Sequence, residues 1–197
     1  MSLLDRIKAG FDENKSSVKT RMKDALRWYK GNIRNRFTKV NRKKLLGEKQ
    51  FKKVSAPRPG KMYMYFYNPK HAKTLPYFDK FPLIIMVGPV KGGWYGLNLH
   101  YLPPEVRAAL LDELVKIGGS KLTSDTKLRL TYNKLKGLQS VRAFQPCFKR
   151  YLANHVASKM VEIPGDEWEN AVFLPTESFS KATSKEVWRD SLKQFKS

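Results

Sequence analysis

The sequence is short of acidic residues. Against 39 lysines and arginines, the 197 residues include only 17 aspartates and glutamates, so the formal net charge is +22. A chain of this charge repels itself until a polyanion or an acidic protein surface neutralises it. Nucleic acid is the commonest such partner, and an anionic membrane or an acidic neighbouring subunit are the alternatives. The excess is uneven, because residues 1–60 carry 18 basic and 5 acidic side chains and residues 61–197 carry 21 and 12.

Cysteine and long apolar runs are also scarce. A single cysteine, Cys147, excludes an internal disulfide framework and fits a reducing compartment. The longest apolar run covers residues 83–87, far short of the roughly 20 residues that a membrane-spanning helix needs. The first residues, MSLLDRIKAGF, lack the apolar region of a signal peptide. We therefore expect neither a membrane span nor a membrane partner.

The side-chain patterns of catalysis are missing. His71, His100 and His155 stand alone, without metal-ligand spacing, and fit hydrogen-bonded surface or core histidines. Cys147 and His155 suggest a thiol nucleophile, but no recognised motif surrounds them. The glycines of GPVKGGWYG do not form a phosphate-binding loop. A metal-dependent nuclease needs several carboxylates at one site, and the predicted sheet offers Asp79 alone. The sequence predicts no enzyme, no metal and no cofactor.

Strand patterns concentrate between residues 61 and 102. Methionine and phenylalanine alternate with tyrosine over residues 62–67, and residues 83–87 are continuously apolar, as in a strand buried on both faces. Alternation returns over residues 94–101, after Gly92 and Gly93, which can supply a tight hairpin. This pattern predicts a small, twisted antiparallel sheet or a partial SH3-like barrel.

A basic helical arm is predicted before this sheet. Apolar residues recur every three or four positions over residues 17–46, which indicates a long helix with one apolar stripe. Its other faces carry eleven cations, with Asp24 as the only acid. A short helix is predicted over residues 2–11, and GEKQFKKVSAPRPG (47–60) is typical of a linker. We therefore predict a basic N-terminal arm over residues 1–55 and an α+β domain over residues 56–197.

The rest of the chain supplies the packed helices of an α+β fold. Pro103 and Pro104 open a helix that Gly118 and Gly119 stop. Further helices are predicted over residues 126–138, 146–155 and 184–197, the last with Ser184 as its cap, and a strand over residues 159–163 is expected to return to the sheet.

The predicted nucleic-acid contacts are cations of the arm and of the second basic helix. Such contacts position a protein on phosphates without reading base sequence, so binding should be non-specific. The predicted residues are Arg34, Arg36, Lys39, Arg42, Lys43, Lys44, Lys52, Lys53, Arg58, Lys127, Arg129, Lys134 and Lys136. Tyr63, Tyr65 and Trp94 either stack on single-stranded ends or form the second face of a packed sheet.

Several segments resemble a known family. TLPYFDKFPL (74–83) and GLNLHYLPP (96–104), within a block over residues 62–114, resemble small virion proteins of T4-like tailed phages that are labelled DNA end protectors or head- and tail-completion proteins. NRKKLL (41–46) and VWRDSLKQ (187–194) extend the resemblance. The order of strand, proline-containing loop and FPLIIMV strand is also similar to the SH3-like barrels of toxin ribonucleases, which favours a barrel more than an activity.

The resemblance implies a structural protein of a virion that is assembled in the host cytoplasm. We expect it at the junction of head and tail, in multiple copies of a symmetric particle, against portal, neck or tail components, with phosphate contacts to packaged DNA or its end. The alternative is a tail or baseplate module whose basic arm clamps acidic neighbouring subunits without touching DNA.

Overall fold

The computed structural model describes residues 3–33, 40–118 and 124–196, and it is an α+β fold. A six-stranded antiparallel sheet has the order β1-β7-β2-β4-β5-β6, and β3 pairs with β8 in a separate ribbon. The strands are β1 (Lys52–Val54), β2 (Met62–Met64), β3 (Phe78–Asp79), β4 (Leu83–Val90), β5 (Gly93–Asn98), β6 (Phe148–Leu152), β7 (Met160–Ile163) and β8 (Phe179–Ser180).

Helices account for most of the remaining described chain. They are α1 (Leu3–Asn14), α2 (Val18–Ile33), α3 (Arg42–Leu46), α4 (Pro104–Gly118), α5 (Ser124–Gln139), α6 (Trp168–Phe173) and α7 (Ser184–Lys196). Short 3-10 turns connect several of them to the strands. Among the described residues, no helix combines the length and the apolar character needed to cross a bilayer.

The alternation over residues 62–67 separates two hydrophobic clusters, as predicted. Met62 and Met64 belong to a large cluster that the helices complete. Tyr63 and Tyr65 belong to a second cluster on the other side of β2, together with Trp94 and other aromatic and aliphatic residues. Both sides of the central strands are therefore buried, which explains why β4 begins as a continuous apolar run.

The β4–β5 hairpin turns at the paired glycines, as predicted, and a glycine is required at each of the two positions for a different physical reason. Val90 pairs with Gly93, so Lys91 and Gly92 form a two-residue loop, and Gly92 has a positive φ of 79°. Gly93 is needed for space, since a Cβ there would lie 1.8 Å from the carbonyl oxygen of Tyr151 on β6. The glycine pair thus permits both the turn and the close approach of β6.

Helices α1 and α2 of the predicted arm pack onto the main body. Ile7 is fully buried, and the Arg6 guanidinium donates to Glu113 on α4 at 2.7 Å. Arg21 on α2 bridges Asp112 on α4 and Glu169 on α6, at 2.8 and 2.6 Å. The two helices are therefore fixed by both apolar and ionic contacts.

The described residues on the two sides of residue 55 share one core and one sheet. Tyr29 on α2 and Leu45 on α3 lie in the same large cluster as the strands, and β1 pairs with β7. The predicted helix over residues 17–46 is present as α2 and α3, while residues 34–39 lie outside the described part. The division into arm and domain stays a prediction, as does the partial SH3-like barrel.

The helix predicted over residues 146–155 is wrong. A 3-10 turn ends at Cys147, β6 follows, and a second 3-10 turn covers residues 153–155. The apolar spacing of Phe148, Tyr151 and Leu152 resembles a helix, but β5 offers a strand edge with which residues 148–152 pair. Tertiary pairing therefore overrides the local pattern. The strand predicted over residues 159–163 is confirmed as β7, between β1 and β2.

The C-terminal helix packs on its own chain. Thr183, rather than the predicted Ser184, caps α7, because its hydroxyl accepts from the Glu186 amide at 3.3 Å and the Glu186 carboxylate accepts from the Thr183 amide at 2.7 Å. Val187 is fully buried, and the Trp188 indole donates to the carbonyl of His100 at 2.9 Å.

Candidate nucleic-acid interface

The predicted phosphate contacts on α3 differ in what their side chains do. Lys43 and Lys44 are exposed, while Leu45 beneath them is buried. The Asn41 side chain caps the helix by accepting from the Lys44 amide at 3.1 Å, and the Asn41 amide donates to the Tyr29 hydroxyl at 2.6 Å. This short helix is therefore fixed on the core and presents two lysines to solvent.

Arg42 is occupied inside the protein. Its guanidinium donates to the carbonyl oxygens of Thr176 and Glu177, both at 2.7 Å, and the side chain is partly buried. These two bonds hold α3 against the segment that follows α6. The geometry gives Arg42 a role in anchoring the lysines beside it.

Lys52 and Lys53 lie on an edge strand of the larger sheet. Both are exposed on β1, whose one partner in that sheet is β7. Lys52 is opposite Glu162 in the register, but the Glu162 carboxylate pairs with Lys61 at 3.7 Å. Lysines on an edge also discourage edge-to-edge aggregation, so their exposure by itself does not define a binding site.

Several carboxylates of the described residues have cationic partners within the chain. Arg21 holds two of them, and Glu113 lies between Arg6 and Lys116. Of the predicted contacts between residues 42 and 58, five are exposed and make no ion pair with any described carboxylate. They are Lys43, Lys44, Lys52, Lys53 and Arg58. We refer to these five residues as the basic edge.

The second predicted group is described only in part. Lys136 is exposed on α5 and Lys134 is partly buried. The side chains of Lys127 and Arg129, like residues Arg34, Arg36 and Lys39, lie outside the part of the chain whose side chains are described. The structure describes the side chains of eight of the thirteen predicted contacts, and all thirteen stay predictions as DNA contacts.

The proposed stacking of sheet aromatics on DNA ends is wrong for the three residues named. Tyr63 and Tyr65 are fully buried and Trp94 is 5% exposed. Their polar atoms are satisfied internally, since the Trp94 indole donates to the Tyr65 hydroxyl at 3.3 Å and the Tyr63 hydroxyl accepts from the Arg58 amide at 2.8 Å. The alternative interpretation, a second packed face, is confirmed.

His100 and Cys147 lie in the interior of the protein. His100 is fully buried, with its ring nitrogens 2.7 Å from Asp79 Oδ2 and 3.0 Å from Thr176 Oγ1. Cys147 is also buried, and desolvation raises the pKa of its thiol to about 12, so the thiolate that a nucleophile needs is disfavoured. His155 lies beyond the far end of β6 from Cys147 and contacts the carbonyl of Asn68 at 2.8 Å.

The Asp79 carboxylate is fully hydrogen-bonded. Its oxygens accept from the amides of Phe81 and Ser178 and from the side chains of Asn98 and His100. Burial alone would raise the pKa of Asp79, but the adjacent His100 and these hydrogen bonds outweigh burial and lower it. No group of three or more His, Cys, Asp or Glu side chains in the described residues is placed to hold a metal.

Sequence reasoning missed one cavity on the aromatic side of the sheet. A pocket of about 470 Å³ lies beside β6, where Lys149 and Arg150 meet the loop that carries Lys70 and His71. The sequence pattern that could have indicated this pocket is the alternation of side chains in β6, which places Lys149 and Tyr151 on one side of that strand. The helix predicted over residues 146–155 concealed this pattern.

The described residues define a basic α+β protein whose edge strand β1 carries two exposed lysines. A family model described as phage T4 terminal DNA protecting protein matches residues 9–191. The chain belongs to this family, as its resemblance to DNA end protectors of T4-like phages predicted. The family description names the protection of terminal DNA. Comparisons with curated proteins and with solved structures found no match.

Proposed function

We propose that this chain binds the ends of phage DNA through phosphate contacts that do not depend on base sequence. The observation that carries the proposal is the basic edge, five exposed cations without described carboxylate partners, on a chain of the DNA-protecting family. Phosphates bound by such cations release condensed counterions, which supplies affinity without sequence specificity.

The protein acts in this proposal as a structural component of the virion. It sits where the genome end meets the portal and neck, in several copies, and it covers the terminus without cutting or joining DNA. Folding of α3 and β1 onto the core supports this role, because the lysines are held in place before DNA arrives. Preorganised contacts bind with less loss of conformational entropy than a disordered tail.

Binding should weaken steeply with salt. If six to eight phosphates are neutralised, the logarithm of the association constant should fall against the logarithm of salt concentration with a slope of about −5 to −7 on duplex DNA. Fluorescence anisotropy with two labelled linear duplexes of unrelated sequence, between roughly 50 and 200 mM salt, measures this slope. The two duplexes should give the same affinity at each salt concentration.

A flat salt response would refute phosphate binding. An acidic tail or baseplate protein that binds the chain tightly, while duplex DNA does not, would instead favour the alternative of a clamp on neighbouring subunits. Unequal affinities for the two duplexes would refute the non-specific mode and leave the end-binding role to be explained by base contacts.

A further inference from the structure

The pocket beside β6 combines basic and aromatic walls. Its cations are Lys70, Lys149 and Arg150, with His71 beside them, and its rings come from Tyr67, Tyr77, Phe78, Tyr101 and Tyr151. The volume of about 470 Å³ falls within the range of small-ligand sites, roughly 300–1,000 Å³. Buried side chains close the floor, since Tyr101, Tyr151 and Asp79 are each 4% exposed.

Lys149 is the unusual member of this lining. Its ammonium nitrogen lies 4.3 Å from the centre of the Tyr101 ring, and the side chain is only partly exposed. No described carboxylate pairs with it. Burial lowers the pKa of the Lys149 amine, which shows that its charge is poorly solvated and would be stabilised by an anion.

The carboxylate in the lining makes no ion pair with the cations of the pocket, and its ion-pair partner is His100. Both oxygens of Asp79 accept hydrogen bonds within the protein, two from backbone amides and two from side chains. Arg150 donates to the carbonyl of Lys91 at 2.9 Å, which fixes its direction, and it remains exposed. Lys70 is exposed at the rim. With three cations against the single carboxylate of Asp79, the lining of the pocket has a net positive charge.

The loop that forms the opposite wall is held in place. Lys181 has a positive φ of 67° and donates to the carbonyls of Lys73 and Leu75 at 2.8 and 2.9 Å. The amide of Asn68 donates to the carbonyl of His155 at 3.0 Å. Contacts at both ends of the loop keep the pocket formed in the absence of a ligand.

We infer that this pocket receives the terminal phosphate of a DNA strand, an inference that rests on the proposed function. A closed floor admits a chain end, whereas the interior of a strand would have to enter and leave again. A terminal phosphate monoester also carries more negative charge than an internal diester, which suits Lys149, Lys70 and Arg150. The partly buried ring of Tyr77 lies where the last base can stack.

The test compares linear blunt duplexes that differ only in their ends: a 5′-phosphate, a 3′-phosphate, or hydroxyl groups at both. The full-length protein should bind at least one phosphorylated duplex about tenfold more tightly than the unphosphorylated one. Lys149→Met keeps most of the side-chain volume and should abolish that difference while leaving affinity for the unphosphorylated duplex within about twofold. Lys185→Met makes the same charge change at an exposed position of α7 and should retain the difference.

Equal binding of all three duplexes by the unmodified protein, or a preference that survives Lys149→Met, would overturn the inference and leave the proposed function intact. If the protein binds no duplex at all, the proposed function fails. A thermal-shift titration with deoxyadenosine monophosphate then tests separately whether the pocket binds a phosphate. A rise in Tm that is lost in Lys149→Met would support the pocket as a site for the phosphate of a free nucleotide. The absence of a rise in both proteins would refute phosphate binding in the pocket.

Discussion

Replacing Lys43, Lys44, Lys52 and Lys53 by glutamine should weaken binding to linear duplex DNA by about 10³-fold at about 0.15 M salt. Each phosphate contact releases about 0.9 counterion, so the loss of four contacts should also make the salt slope shallower by about 3.6. All four side chains are exposed and make no ion pair with a described carboxylate, so the fold should tolerate the change. Anisotropy titrations at several salt concentrations measure both quantities.

A matched control variant separates the effect of where the charges lie from the effect of the total charge. Glutamine at Lys23, Lys80, Lys91 and Lys185 removes four charges that are also exposed but lie outside the basic edge. This control should change affinity far less and leave the slope nearly unaltered. An equal loss in both variants would mean that only net charge matters, and an unchanged affinity in the first would place the interface elsewhere. Arg42 is kept in both, because its bonds to two carbonyls hold α3 in place.

Asp79→Ala should lower the free energy of unfolding by at least about 3 kcal/mol. The change leaves two backbone amides and the side chains of Asn98 and His100 without their acceptor, inside a region that excludes water. Asp166→Ala, at an exposed position, should stay within about 0.5 kcal/mol of the unmodified protein. Urea unfolding followed by tryptophan fluorescence gives both values.

The same carboxylate makes stability depend on pH. The pKa of Asp79 is lower in the folded chain than its ordinary value of about 3.9, so its contribution is fully present above that value and is lost as pH falls through the folded pKa. Asp79→Asn should therefore be less stable than the unmodified protein at neutral pH and should lose less stability below about pH 4. Parallel acid sensitivity in the two proteins would contradict the role given to Asp79.

The local structure of this fold can be predicted from the sequence, but little of its long-range strand pairing can. Alternation of methionine with tyrosine correctly separates the two faces of β2, and the glycine pair correctly locates the β4–β5 turn. Residues 148–152 have helix-like apolar spacing, and only the open edge of β5 makes them a strand. The phosphate role predicted for Arg42 likewise overlooks carbonyls more than 130 residues away in the chain.

The candidate site shows the same division. Composition predicts a polyanion partner, in keeping with a family described by DNA protection, and the exposed lysines of α3 and β1 are visible as a basic run in the sequence. The burial of Tyr63 and Tyr65 and the pocket around Lys149 depend on which strands and loops pack together. These contacts join residues far apart in the chain, so periodicity along a single segment does not contain them.

A paired nuclease challenge tests the account most directly. A long linear duplex is incubated with a few protein molecules per DNA end and then divided between an exonuclease, which starts at the termini, and an endonuclease, which cuts internally. Binding at the DNA end predicts that digestion from the ends slows at least about tenfold, while internal cutting proceeds at its ordinary rate. Undiminished exonuclease digestion, or an equal slowing of both enzymes, would contradict binding at the DNA end.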